Sequence, residues 1–502
     1  YFRNKFAGFC SSVEEMKYSI CKVIAESARE IPDTITVQKV SEVEVYIPHI
    51  VEVAENLHEF LSDDDLITPF VRLGRFYKGQ GLYSQAQPWD ETGKEIAEQR
   101  FGEEHPSVAN TLNNLAILYR SQGRYEEAKP LYIQALDMRK KLLGEEHPSV
   151  ANTLNNLAHL YHSQGRYEEA KPLYIQALEI NKKLLGEEHP DVATSLHNLA
   201  GLYESQGRYE EAKPLYIQAL EINKKLSGEE HPDVATSLNN LARLYYDQGR
   251  YEEAEPLYIQ ALEINKKLLG EEHPNIATFL GNLAVLYKSQ GRYEEAKPLY
   301  TQAFEINKKL LGEEHPNIAN SLNNLARLYY DQGRYEEAEP LYIQALNMRK
   351  KLLGEEHPSF ATSLNNLAEL YKSQGRYEEA KPLYIQALEI NKKLSGEEHP
   401  DVATSLNNLA RLYYDQGRYE EAEPLYIQAL NMRKKLLGEE HPSVANSLNN
   451  LALLYKTQGR YTEAEPLYIQ ALNMRKKLLG EEHPETQIFL ENYQVFLNEK
   501  NE

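Results

Sequence analysis

Residues 106–147 read PSVANTLNNLAILYRSQGRYEEAKPLYIQALDMRKKLLGEEH, and this stretch decides the fold. From Val108 to Tyr119, the apolar residues Val108, Ala109, Leu112, Leu115, Ala116, Leu118 and Tyr119 recur at helical spacing. Gln122-Gly123 interrupts the pattern, with a glycine suited to a left-handed cap. A second helix is predicted from about Tyr125. It has Glu126 and Glu127 in its first turn and Arg139, Lys140 and Lys141 in its last, both complementing the helix dipole. Gly144 ends it, and Pro148 restarts the pattern near a first helical position. The unit is therefore a helical hairpin. Pro130 lies about a turn inside the second helix, where it removes a hydrogen bond at a cost of up to ~3 kcal/mol in an isolated helix, so a repeated kink is expected.

Working outward, Gly-Glu-Glu-His-Pro occurs ten times, with its histidine at 105, 147, 189, 231, 273, 315, 357, 399, 441 and 483, always 42 residues apart. A fixed period of this length is the mark of a stacked repeat array. A lone hairpin cannot bury its apolar face, so neighbours must stack. Leu112-x2-Leu115-Ala116-x2-Tyr119, then Ala128-x3-Tyr132 and Ala135, resembles the tetratricopeptide (TPR) signature. The usual TPR unit has about 34 residues; here the added residues lengthen the second helix and its loop. With NNLA and QGRYEEA, the variant resembles the TPR domain of kinesin light chains and their bacterial relatives. The resemblance implies an all-α, right-handed superhelical solenoid whose first helices line a concave groove. It covers about residues 64–484: a degenerate first repeat at 64–105, then nine repeats at 106–484. In the degenerate repeat Gly81 aligns with Gly123 and Trp89 with Leu131, so the single tryptophan is expected in the core. Residues 485–502 read as a C-terminal capping helix, with Ile488, Phe489, Tyr493 and Phe496 placed to cover the last hairpin.

Residues 1–63 form a different, N-terminal helical region. Ser11-Ser12-Val13-Glu14-Glu15 is a helix start, Val13, Met16, Ile20, Val23 and Ile24 make one apolar stripe, and Pro32 ends it. A second helical stretch is predicted from about Val43 to Leu61. This region, through Leu73-Gly74-Arg75-Phe76-Tyr77, resembles the segment before the TPR array in bacterial, especially cyanobacterial, STAND/NB-ARC ATPases. The sequence holds no G-x-x-x-x-G-K-[ST] phosphate loop. A chain opening at Tyr1 reads as a fragment of a longer protein.

Because the repeats are nearly identical, the positions that vary stand out. One first-helix position reads Ile117, His159, Gly201, Arg243, Val285, Arg327, Glu369, Arg411 and Leu453. Three residues on, another reads Arg120, His162, Glu204, Tyr246, Lys288, Tyr330, Lys372, Tyr414 and Lys456. The two share a helix face, and the family resemblance places that face on the concave groove. Their summed charge is +5 in a chain whose net charge is −21. Adding Asp247, Asp331 and Asp415 at the following position leaves +2. The face should favour an acidic peptide, or its variation is solvated drift after duplication. Arg-Leu-Tyr-Tyr-Asp recurs at 243–247, 327–331 and 411–415, a two-repeat rhythm.

An invariant asparagine stands at Asn114, Asn156, Asn198, Asn240, Asn282, Asn324, Asn366, Asn408 and Asn450. It matches the clamp position of peptide-binding TPR proteins. Its amide either reads a peptide backbone or bonds the neighbouring repeat's backbone. The preceding Asn113, replaced by His197 and Gly281 in two repeats, is expected to be exposed.

The remaining signals exclude. The negative charge argues against nucleic acid and anionic membranes, and no run approaches a membrane span. Two cysteines, Cys10 and Cys21, make no disulfide framework and fit a reducing compartment such as the cytoplasm. Ten Glu-Glu-His clusters bring one histidine per loop, too far apart for a shared metal. No unique polar cluster is expected to break the lattice, so no catalytic site, metal or cofactor is expected. The sequence reads as a protein- or peptide-binding scaffold, with a self-associating spacer as the alternative.

Overall fold

The computed structural model describes residues 13–32 and 36–501, in 24 α-helices with no strand among those residues; Cys10 lies outside them. None of these helices is long and apolar enough to cross a membrane. The chain divides into two units, one reaching Thr153 and including Lys308–Pro316, the other made of Leu154–Asn307 and the chain from Asn317 onward.

Each of the nine full repeats is a hairpin of a 16-residue and a 19-residue helix, as in Pro106–Ser121 and Tyr125–Leu143, whereas the first repeat pairs the 12-residue Thr68–Gly79 with Tyr83–Phe101. The second helix packs on its own first helix and on the first helix of the next repeat, as Tyr209–Ser227 does between Pro190–Ser205 and Pro232–Asp247. The alanines that permit close approach, Ala116, Ala128 and Ala135, are wholly buried. Leu112 and Leu118 are buried beside them, each contributing about 1.5–3 kcal/mol of burial. The second helix runs unbroken through Pro130, although the Ala128 N–H two residues earlier already bonds the Arg124 carbonyl, so the proline leaves the Glu126 carbonyl without its helical donor.

The turns show why so much of the repeat is fixed. Gly123 holds φ 75°, which an L side chain adopts only under strain. Arg124 then lies over the Tyr119 ring at 4.1 Å and pairs with Glu127. The histidine of each Gly-Glu-Glu-His-Pro caps the helix that follows: Nδ1 of His105 accepts the Ser107 N–H at 3.2 Å, with Pro106 at the first helical position. With Nδ1 accepting, the ring hydrogen sits on Nε2. In the second unit that edge donates across 236 residues of sequence, His399 to the Ser163 carbonyl at 3.2 Å and His441 to the Ser205 carbonyl at 3.0 Å. In the first unit His315 reaches the Gly79 carbonyl at 3.4 Å. The loop histidine is thus a cap and a clasp.

Several expectations need correction. Arg139 does not simply complement a dipole. It is buried, donating to Asn110, the Ser149 carbonyl and Thr153, and so ties its repeat to the next. In Val13–Arg29 the packed face is Cys21, Ile24, Ala25 and Ala28, whereas Val13 and Val23 are exposed. The following stretch begins earlier than predicted, at Val37–Glu44, resumes at Ile47–Glu52 and ends in a π turn and a 3-10 turn up to Phe60. Trp89 packs against this N-terminal core, half-buried. At the C-terminal end the helix Pro484–Asn501 buries Phe489 and Phe496 and packs Tyr493 against them, but Ile488 is exposed on its far side.

Candidate peptide-docking face

The variable face begins with the first helices, whose buried stripe leaves two positions per repeat partly open. In the first unit Asn114 and Arg120 are half-buried, and Arg120 makes no ion pair among the described residues. The richer part lies in the second unit, where the side chains singled out in the sequence form an interlocked lattice. Arg327 donates through Nε to Asp331 at 2.9 Å, and Arg411 through Nε to Asp415 at 3.1 Å. Lys288 reaches Asp331 at 3.0 Å from the preceding repeat. Lys372 pairs with Glu369, and Lys456 with Glu499. Tyr246, Tyr330 and Tyr414 each share a hydrogen bond with Ser289, Ser373 or Thr457 of the next repeat, at 2.7–2.9 Å. The lysines are mostly buried under these contacts. The side chains of Arg327 and Arg411 stay 46% and 40% exposed, and each guanidinium makes its hydrogen bond among the described residues through Nε, which leaves the Nη atoms unpaired.

The invariant asparagine is partnered in a way the sequence did not suggest. Nδ2 of Asn282 donates to Oδ1 of Asn239 at 2.8 Å, Asn366 to Asn323 at 2.7 Å and Asn450 to Asn407 at 2.9 Å. Asn240 meets the His197 ring instead, at 3.5 Å. The partner is the neighbour's side chain, not its backbone. The expectation that the Asn113 position is exposed fails for the same reason: Asn113 and Asn449 are buried, because this residue is the acceptor half of an amide ladder. Asn156 is also engaged. Asn198, Asn324 and Asn408 are half-buried with no hydrogen bond among the described residues.

A unique polar cluster does break the lattice, contrary to expectation. Where later repeats of this two-repeat rhythm place a lysine, one repeat has Glu204, 6% exposed in its side chain. Arg243 grips it through Nε at 3.0 Å and Nη2 at 2.7 Å, and Tyr216 donates to it at 2.6 Å. Burial, then the Glu204 carboxylate, pushes Asp247 up to about 7 against the pull of Arg243. His162 and His197 lie beside the cluster, both lowered to about 4, chiefly by burial. A lysine-to-glutamate change visible at position 204 was the available signal. It was missed because charge was counted per residue and not per neighbour.

A tetratricopeptide-repeat model matches residues 65–141, 120–183, 149–225, 191–267, 233–309, 275–351, 359–435, 401–477 and 443–486. The chain belongs to the tetratricopeptide-repeat family. Among solved structures it is similar to a candidate kinesin light chain of Podosopora anserina with nearly identical TPR-like repeats, at 36% identity over 41% of this chain and 98% of that one, TM-score 0.35. It is also similar to BtubC (BKLC) from P. vanneervenii, at 28% identity over 46% and 92%, TM-score 0.39. A third is the apo quorum sensor NprR from B. thuringiensis, at 16% identity over 69% and 90%, TM-score 0.48. No curated protein matches the chain.

As a TPR protein the chain is a protein-interaction scaffold, and a tyrosine packs beneath each first helix. In the TPR lattice this tyrosine has two states. The Tyr132 hydroxyl is buried without a partner, whereas Tyr216 and Tyr384 donate to Glu204 and Glu369. Tyr132→Phe should therefore be neutral or stabilising by up to about 1 kcal/mol, and Tyr216→Phe destabilising by about 1–2 kcal/mol, since only the second leaves a buried carboxylate short of a donor. Thermal melts of the two variants decide this, and equal shifts would refute it.

Proposed function

We propose that this TPR array binds a peptide segment bearing acidic side chains, laid along the first-helix face of the second unit. The observation that carries the reading is the open Nη edge on Arg327 and Arg411, two like sites 84 residues apart in sequence, with Tyr330 at 4.9 Å and Tyr414 at 5.3 Å from the guanidinium carbons. An Arg edge of this shape accepts a carboxylate through two parallel hydrogen bonds, and an adjacent tyrosine supplies rigid contact area. Asp331 and Asp415 orient the forks and offset their charge, so recognition is by geometry with a modest electrostatic pull. Arg243 is excluded from this role by its grip on Glu204. On this reading the half-buried asparagines Asn198 and Asn408, which make no hydrogen bond among the described residues, meet peptide backbone. On the N-terminal resemblance, the scaffold serves as the ligand-sensing arm of a STAND-type ATPase.

Fluorescence polarisation against a library of short labelled peptides tests the reading at low and high salt. Acidic peptides should bind, weaken with salt and lose about tenfold in affinity when Arg327 and Arg411 both become Gln. Binding indifferent to both substitutions would sink the acidic-peptide reading. A second reading, self-association, is favoured by His189 and His231, whose rings are about 40% exposed at the edge that His399 and His441 use as a clasp. Mass that rises with concentration, in a chain that binds no peptide, would establish it.

A further inference from the structure

The repeat spanning 274–315 departs most from its neighbours, with Phe279, Gly281, Val285, Thr301 and Phe304 at positions where the surrounding repeats carry other residues. A pocket of about 210 Å³ opens there, wholly within the second unit and walled by Thr278, Gly281, Val285, Tyr300, Ala303 and Asn324, with Asn282, Asn307 and Asn320 around them. Gly281 explains it. The same position is asparagine in seven other repeats, of which Asn239, Asn323, Asn407 and Asn449 accept a hydrogen bond from the asparagine of the next repeat, whereas Oδ1 of Asn155 and of Asn365 is buried without a partner. At Gly281 that amide is missing, and a Cβ built there meets nothing within 4 Å. Asn324, across from Gly281, makes no hydrogen bond to the protein among the described residues; Asn198 and Asn408 make none either, but they face Asn155 and Asn365, and only Asn324 faces an open space.

Two further polar groups at this pocket are unused. Thr278 alone among the five threonines at this position makes no bond to the carbonyl four residues back, whereas Thr194, Thr236, Thr362 and Thr404 all do. The Tyr300 hydroxyl also has no hydrogen-bond partner among the described residues, although the side chain is buried. The other amides are committed, Asn282 to Asn239, Asn307 to Ser321 and Asn320 to Arg349. No charged side chain lines the space.

We propose that the Gly281 pocket takes a carboxamide side chain, asparagine or glutamine, from the bound peptide, which replaces in trans the amide the ladder lacks. The ligand carbonyl accepts from Asn324 Nδ2, its NH2 donates to the Thr278 or Tyr300 hydroxyl, and its methylenes lie on Val285 and Ala303. A carboxylate is rejected, because no cation lines the pocket to pair with it. This deepens the peptide-docking reading and rests on it: Arg327 and Arg411 set the acidic positions, and the pocket sets a neutral amide between or beside them.

The test uses saturation-transfer difference NMR on the full chain with N-acetyl-glutamine methylamide, N-acetyl-asparagine methylamide, N-acetyl-leucine methylamide and N-acetyl-glutamate methylamide. The amide probes should bind about tenfold more tightly than the leucine or glutamate probes. Gly281→Asn should abolish that preference; it installs a residue the other repeats already carry, so the chain folds. Asn324→Leu should reduce it by a similar factor. Equal binding of the leucine probe, or an unchanged amide preference in Gly281→Asn, overturns the inference. Library peptides that bind equally well to wild type and Gly281→Asn overturn it too, while leaving the groove reading intact. Amide binding at the pocket with no peptide bound anywhere overturns the groove reading instead.

Discussion

Replacing Arg243 with methionine is expected to destabilise the second unit by about 2–3 kcal/mol at pH 8, the largest effect of any single change on the groove face. Glu204 is buried, and Arg243 supplies its bidentate cation. Breaking one side of such a pair leaves an uncompensated buried charge, at about 3–5 kcal/mol when both partners are buried. The lower figure reflects the 48% exposure of Arg243. The pH dependence has a definite sign. Asp247 is already raised to about 7 by burial and by Glu204, with Glu485 adding to it. A carboxyl raised in the folded state contributes stability that is present below its unfolded value of about 4 and lost as pH rises through about 7. The contribution of Asp247 should therefore be lost between pH 4 and 7, and Asp247→Asn should remove that part of the pH dependence. In Arg243→Met, protonation of Asp247 removes the carboxylate charge that faces Glu204, so the deficit should shrink as pH falls from 8 to 5. Thermal melts across that range, with Glu204→Gln/Arg243→Met as the partner variant, check this. The double variant should recover most of the loss, since removing both partners leaves no unpaired charge. A deficit independent of pH, or no recovery in the double variant, would refute the assignment.

The second large effect separates two glycines in the same local sequence. Ser163–Tyr174 and Ser373–Tyr384 share the string SQGRYEEAKPLY, and Gly165 and Gly375 have φ of 66° and 73°. Alanine at Gly375 meets nothing within 4 Å and should cost only the left-handed strain, about 1–2 kcal/mol. Alanine at Gly165 places its Cβ 2.4 Å from Pro400 Cγ. That ring begins a helix and cannot swing aside. The clash adds about 1–3 kcal/mol, and pushing Pro400 away loosens the His399 hydrogen bond to the Ser163 carbonyl, worth about 1 kcal/mol more. Gly165→Ala should thus lose about 3–6 kcal/mol in all, with faster hydrogen exchange around residues 163–167. Because repeat arrays do not always unfold as one unit, local exchange is the better readout. Matching losses in the two variants would show that the clasp carries no stability.

The hairpin, its period and its buried stripe were legible in the sequence for one physical reason: helical periodicity and turn glycines are local properties, written again in every 42 residues. Val108, Leu112 and Ala116 had to face inward whatever lay beyond them. The candidate face was legible only as a set of positions. Which of its cations remain available depends on neighbours 39–43 residues away, and there the per-residue count misled. Arg243 is consumed by Glu204 and Lys288 by Asp331, while Arg327 and Arg411 keep an edge open. The asparagine ladder, the pocket left by Gly281 and the histidine clasps across 236 residues all arise where separate repeats meet. The sequence by itself determined the repeating unit and its core. The tertiary structure decided which polar side chains spend their hydrogen bonds on the next repeat and which keep them for a ligand, because pairing depends on distance in space and identical residues in different repeats have different neighbours.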